Sequence, residues 1–237
     1  MLIGDKPHFY GRRQGRRLRK AKSALMDVFL PSIKLDSKNP LSFVGKNQKL
    51  YLEIGFGDGD HLAEHSLKNK DICYIGAEVF KNGVANLLSL ITGIKTNDEV
   101  SEQISLLSNR TDNIRIWDDD IRLLFPLLPD ACLDKVFLLF PDPWPKKRHA
   151  NRRFVNPENL QILARLIKPN GILRIATDHT TYKFWTLRQL HNCPYFEWTA
   201  TCGADWKNPP ADWVETKYQR KALREGRKPV FLDFRRK

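Results

Sequence analysis

A chain of 237 residues, 41% hydrophobic and 28% charged, has the make-up of one soluble globular domain, or of one domain with an arm. Those proportions exclude wholesale disorder, collagen-like repeats and coiled coils, and no apolar run approaches the roughly 18 residues of a membrane helix. Forty Lys and Arg against 27 Asp and Glu leave a formal charge of +13, which points to a polyanionic partner, most often nucleic acid.

The start of the chain lacks an apolar stretch before a cleavage site, so no secretory signal is expected and the expected location is cytoplasmic. Seven of the eleven residues from Arg12 to Lys22 are basic. An apolar stretch, Leu25 to Leu30, follows and is expected to end at Pro31. Residues 1–47 therefore read as a basic arm holding one helix and then a loop through Pro40, and residues 48–237 as the main domain.

From residue 49 the pattern alternates between strand and helix. Leu50–Ile54 reads as a buried strand, Asp60–Leu67 as a helix, Ile72–Ala77 as a strand and Phe80–Ile91 as a helix. A further helix is expected over Asp98–Leu107. Strands follow at Ile114–Trp117, Leu133–Phe140 and Ile172–Thr177, the last after a turn at Lys168-Pro169-Asn170-Gly171. Tyr182–His191 reads as a helix and Val230–Phe234 as a final strand. Strands separated by helices of this length imply a mainly parallel sheet with helices on both faces. Ligands bind such sheets at the carboxyl ends of the strands.

The four cysteines, Cys73, Cys132, Cys193 and Cys202, form no C-x-x-C pair and have no histidine at zinc-ligand spacing. They read as reduced thiols, with Cys73 and Cys132 in or beside apolar runs. No metal constellation is apparent.

The first strand runs into Gly55-Phe56-Gly57-Asp58-Gly59-Asp60. Glycines there permit a tight turn and close approach of a ligand to backbone. A dinucleotide would place its pyrophosphate at the helix start, where Asp58 and Asp60, with Glu53 just upstream, would repel it. S-adenosylmethionine carries a sulfonium and an ammonium and no phosphate, so it tolerates these acids. Glu78 ends the second strand, where a carboxylate can bond ribose hydroxyls. Asp118, Asp119 and Asp120 follow the third strand, placed to meet an adenine amino group or to cap a helix.

The fourth strand ends in Phe140-Pro141-Asp142-Pro143-Trp144-Pro145-Lys146-Lys147-Arg148-His149. A carboxylate between two prolines is stiffly held, and the neighbouring indole can stack on a base. The basic residues Lys146, Lys147, Arg148, Arg152 and Arg153 can grip a phosphate backbone. Together they read as a nucleobase pocket beside a nucleic-acid strand.

The chain resembles the tRNA (guanine-N7-)-methyltransferase family. The residues that carry the resemblance are L-E-I-G-F-G at 52–57, I-G-A-E at 75–78, F-P-D-P-W-P-K-K-R-H at 140–149, A-T-D at 176–178 and T-K-Y at 216–218. It implies a Rossmann-like class I methyltransferase fold. It also implies methyl transfer from S-adenosylmethionine to N7 of a tRNA guanine, the variable-loop guanine at position 46 in tRNA numbering. By the same resemblance Glu53, Gly55, Gly57, Glu78 and Asp119 contact the cofactor. Asp142 is the catalytic-site residue, touching cofactor or guanine. Lys146, Asp178, Thr216, Lys217, Tyr218 and Gln219 bind substrate, and Arg148, His149, Asn151, Arg152 and Arg153 touch RNA. The family often has Glu after T-K-Y where this chain has Gln219, and the segment from Gly93 to Asn109 looks longer than usual. The rivals are another nucleic-acid N-methyltransferase, a nicotinamide dehydrogenase and a non-catalytic RNA-binding protein. Monomer and homodimer both stay open.

Overall fold

Short apolar or alternating runs bounded by turn residues become most of the strands. A computed structural model describes residues 2–3, 6–94 and 111–237. The expected helix over Asp98–Leu107 lies outside the described residues. The chain forms two units, Met1–Leu128 and Pro129–Lys237.

The first unit opens with two-residue strands, β1 (Leu2–Ile3) and β2 (Lys6–Pro7), paired antiparallel. Its helical stretch runs through α1 (Lys20–Ala24), a π-turn at Leu25–Phe29 and α2 (Leu30–Ile33). Pro31 does not end it, contrary to expectation. A proline ring collides with the carbonyl four residues back and removes an amide donor. Here Leu30 donates five residues back, to the Leu25 carbonyl, and this widened turn lies just ahead of Pro31. The stretch buries Leu25, Phe29, Leu30 and Ile33 in a core shared with Phe56, Leu62, Tyr74, Leu87 and Ile116.

Strands β3 (Lys49–Ile54), β4 (Ile72–Ala77) and β5 (Ile114–Trp117) run parallel in the order β5-β4-β3. Helix α3 (Asp60–Lys68) links β3 to β4, and α4 (Lys81–Thr92) follows β4. The short α5 (Ile121–Leu124) follows β5 and is capped by Asp120, whose side chain accepts from the Arg122 amide.

In the second unit the order is β6-β7-β9-β8. Strand β6 (Leu133–Leu139) pairs parallel with β7 (Ile167–Thr177). Strand β9 (Val230–Arg236) lies antiparallel between β7 and β8 (Phe196–Trp198). The expected turn at Lys168–Gly171 is an irregularity inside β7. Leu133 faces Ile167 while Lys135 faces Ile172, so the intervening residues bulge out. Asn170 takes a left-handed φ of 66° there.

Helix α6 (Pro157–Leu166) precedes β7 and α7 (Thr180–His191) follows it. Two short helices, α8 (Ala204–Lys207) and α9 (Lys217–Arg224), lie between β8 and β9. The sequence pattern does not anticipate α6, α9 or β8. The signal for α6 is Asn156-Pro157, where the Asn156 side chain accepts from the Asn159 amide and proline takes the first helical position. No helix among the described residues is long and apolar enough to cross a membrane.

The four thiols are free. Burial pushes the Cys132 thiol up to about 11 and raises that of buried Cys73, whereas Cys202 is exposed. A disulfide reagent added to the native protein at pH 8 is therefore expected to modify Cys202 first. Cys202→Ser should remove the fastest phase, and Cys73 and Cys132 should react only on unfolding. A fast phase that survives Cys202→Ser would contradict this ordering.

Candidate active site

The first unit presents a cluster at the carboxyl ends of β3, β4 and β5. Gly55, Gly57 and Gly59 all take left-handed φ values, 68°, 56° and 83°. Side chains adopt that conformation at a cost, so the loop selects glycine. Gly55 is exposed, and a Cβ added to it would meet nothing within 4 Å. Glu78 ties the loop down: one carboxylate oxygen accepts from the Gly57 amide at 2.8 Å and the other from the Phe80 amide at 2.9 Å. Gly83, near the start of α4, is a residue of this cluster that sequence reasoning missed. A Cβ there would lie 2.1 Å from the Gly57 carbonyl oxygen.

Glu53 is only 4% exposed, and its carboxylate meets the His61 ring nitrogen Nδ1 at 2.7 Å. His61 belongs to the first turn of α3, so the pair fastens that helix start to β3. The three acids after β5 divide their tasks. Asp118 pairs with Lys34 at 2.7 Å. Asp119 accepts from Arg13 at 2.8 Å and from the Asp120 amide at 2.8 Å. Asp120 caps α5 and takes the Arg122 guanidinium at 2.6 Å, so the capping role falls to this one acid.

Arg13 brings the basic arm to this cluster. Its carbonyl accepts from the Lys81 amide at 3.0 Å. Asn82 accepts from the Gly15 amide at 2.8 Å and donates to the Arg16 carbonyl at 2.7 Å. Farther along, Lys22 donates to Asn86, which donates to the Asp58 carbonyl in the glycine loop. Nothing in the local sequence marks Asn82 or Asn86 as the residues that receive the arm.

The second unit presents its own cluster. Phe140 and Trp144, on either side of Pro141-Asp142-Pro143, take left-handed φ values of 50° and 40°. Bulky residues in that region are strained, and such strain gathers at functional sites. Arg153 braces the turn: it donates to the Pro143 carbonyl at 3.1 Å and to the Trp144 carbonyl at 2.8 Å, and lies over the Trp185 ring at 4.5 Å. Its guanidinium therefore points into the protein, and the residue as a whole is 5% exposed, unlike the exposed Arg148 and Asn151. Arg152 lies over the Trp144 ring at 4.9 Å, and His149 meets that ring edge-on at 5.8 Å.

Asp142 is exposed at the end of β6, and Asp178 follows the end of the neighbouring parallel strand β7. Asp178 accepts from Arg227 at 2.6 Å. Lys146, Lys217 and Tyr218 are exposed. Thr216 and Gln219 turn inward instead. The Thr216 hydroxyl caps α9 by accepting from the Gln219 amide, and the Gln219 side chain accepts from the Trp213 indole at 2.5 Å.

Solved structures similar to this chain share its fold. They include "Structure of an Antibiotic Related Methyltransferase" (TM-score 0.52, 16% identity, covering 86% of this chain and 94% of that one). "Crystal Structure of 16S rRNA Methyltranferase KamB" matches at TM-score 0.51 and 13% identity, covering 94% and 97%. The fold is thus the Rossmann-like α/β fold of class I methyltransferases. A family model described as "Putative methyltransferase" matches residues 47–232. The tRNA (guanine-N(7)-)-methyltransferase of Rhodospirillum rubrum is 43% identical, with 97% of this chain and 88% of that protein aligned. The protein of the same name from Paramagnetospirillum magneticum is 42% identical over 98% and 94%. The chain belongs to the tRNA (guanine-N7-)-methyltransferase family.

Proposed function

We propose that the protein transfers a methyl group from S-adenosylmethionine to N7 of the variable-loop guanine of tRNA, in the cytoplasm. The observation that carries this reading is the Asp142 turn. An exposed carboxylate is held between two strained aromatic residues at a strand end, and exposed basic side chains follow it.

The first cluster fits the cofactor. Its acids suit the ammonium and sulfonium, and the surface in front of Gly55 is open where a Cβ would stand. When bound, S-adenosylmethionine supplies an electrophilic methyl group. Glu78 holds the Gly57 and Phe80 amides and keeps lone pairs to accept from ribose hydroxyls. Asp119 accepts from the adenine amino group, and Glu53, fastened by His61, completes the acid lining.

Guanine N7 carries an in-plane lone pair and no proton, so no residue has to act as a general base. The protein's contribution is positioning. Asp142 and Asp178 accept from the N1–H and the 2-amino group of guanine. Lys146 or Lys217 donates to O6 or to a phosphate. The carboxylates also favour the positive charge that methylation leaves on the base. Arg148, His149, Asn151 and Arg152 hold the RNA beside the turn, and Arg153 supports the turn from within.

The test is methyl transfer from labelled S-adenosylmethionine to an unmodified tRNA transcript, followed by chain cleavage at N7-methylguanine. A single cleavage in the variable loop is expected. Labelled RNA without that cleavage would move the target to another atom, and no label at all would favour an RNA-binding protein without this activity.

The arm gives a second expectation. Neutralising Arg12, Arg13, Arg16 and Arg17 together should weaken tRNA binding and flatten its salt dependence, by roughly 0.7–0.9 in log–log slope for each phosphate left without its cation. An unchanged slope in a filter-binding salt titration would mean that the arm does not touch phosphate.

A further inference from the structure

Two cations lie side by side in the second unit's sheet. Lys135 is on β6 and Arg174 on the adjacent β7, with side chains 11% and 6% exposed. Buried cations need matched anions. One comes from within the sheet: Asp233 on β9 faces Arg174 in register and takes its guanidinium at 2.8 and 2.7 Å. The other, Asp212, comes from the segment between α8 and α9, which has no regular structure of its own. One Asp212 oxygen takes Arg174 at 2.5 Å and the other takes Lys135 at 2.6 Å. The sheet thus fixes the position of a loop residue.

The next residue carries that fixation to the site. The Trp213 ring meets Phe231 edge-on at 4.6 Å and Phe140 at 6.4 Å. Phe140 is the strained residue two places before Asp142. On its polar side the Trp213 indole donates to Gln219, whose amide is held by Thr216. A single ring therefore touches both the Asp142 turn and the Thr216–Gln219 helix start.

We infer that Asp212 and Trp213 are positioning residues, fixing the Thr216–Gln219 segment against the Asp142 turn so that both address one target nucleotide. This inference rests on the proposed transfer to tRNA. Reactive geometry tolerates errors of only about 0.5 Å, and a loop left to itself does not hold to that. Burial works to raise the Asp212 carboxyl, yet its bonds to Lys135 and Arg174 hold it well below the usual carboxylate range. The anchor is therefore charged throughout the neutral range.

Trp213→Phe keeps a ring and removes the bond to Gln219, and Asp212→Asn keeps shape and removes charge. Both are compared with the unchanged protein for kcat, tRNA affinity and cofactor affinity. Hydrogen–deuterium exchange is followed in peptides covering 138–146 and 211–224. The expected result is a loss of kcat of about ten-fold or more, tRNA and cofactor affinities within about three-fold, and faster exchange in both peptides together. Undiminished kcat in folded Trp213→Phe overturns the inference. So does faster exchange confined to 211–224, because the ring would then not couple the two segments. If Asp212→Asn does not fold, Trp213→Phe alone decides. If the unchanged protein methylates no tRNA, the proposed function fails, and the exchange pattern still decides whether Trp213 couples the segments.

Discussion

Replacing Asp142 with alanine is expected to lower turnover by about 10²–10³-fold while S-adenosylmethionine binds nearly as it does to the unchanged protein. The expectation follows from where the carboxylate stands. Asp142 is exposed, and among the described residues its side chain makes no hydrogen bond that supports the fold. Removing it should leave the melting temperature close to that of the parent. The strained turn remains braced by Arg153 on the Pro143 and Trp144 carbonyls, so the carboxylate alone is removed. Single-turnover methyl transfer, with calorimetry for cofactor affinity, checks both halves. Turnover like that of the parent would remove Asp142 from the reaction. Asp142→Asn separates the two parts of the role: it keeps an acceptor for the base and gives up the charge that favours a cationic product.

Gly83→Ala is expected to weaken cofactor binding by about ten- to a hundred-fold, corresponding to about 1–3 kcal/mol of overpacking. The added methyl would stand 2.1 Å from a main-chain oxygen, that of Gly57. Backbone cannot turn aside as a flexible side chain can, so the glycine loop must shift. Glu78 resists the shift through its bonds to the Gly57 and Phe80 amides, and strain spreads along the glycine loop. Gly93→Ala is the control. Its φ of 76° makes alanine unfavourable there, but a Cβ would meet nothing within 4 Å. It should lower the melting temperature and leave cofactor affinity alone. Calorimetric titration of S-adenosylmethionine against both variants distinguishes them, and equal affinities would show that the close approach of Gly83 to Gly57 is unimportant.

The elements that sequence exposed were those whose information is local. Ile72–Ala77 and Ile114–Trp117 have the expected bounds because each is a compact apolar or alternating run with turn residues beside it. Helix Lys217–Arg224 escaped notice because four of its eight residues are Lys or Arg and it buries only Gln219 and Ala222. Its start is marked by Thr216 and Gln219, a capping pattern more than a hydrophobic one. The bulge inside β7 reads as a turn in the sequence because Pro, Asn and Gly favour turns wherever they occur, and only pairing with β6 shows that the strand continues.

The site divides in the same way. Gly55, Gly57, Glu78 and Asp142 stand out as candidates in the sequence because they sit at strand ends and in the loops after them. Their supports are not. Arg13 meets Asp119 across 106 positions, Arg227 meets Asp178 across 49, and Arg174 meets Asp212 across 38. No local pattern encodes such pairs. Arg153 shows the converse: among neighbouring basic residues its letter is indistinguishable from Arg152, and only burial assigns it to the turn's interior.

The Trp213–Gln219 bond also limits how this position can drift through evolution. What the indole requires at 219 is an acceptor of the right length, which an amide and a carboxylate both provide. Glutamine and glutamate are then interchangeable there while tryptophan stays at 213, and the choice between them moves net charge by one without disturbing the helix start. Lysine or leucine would strand the indole N–H. Residues 213 and 219 should therefore change together or hardly at all.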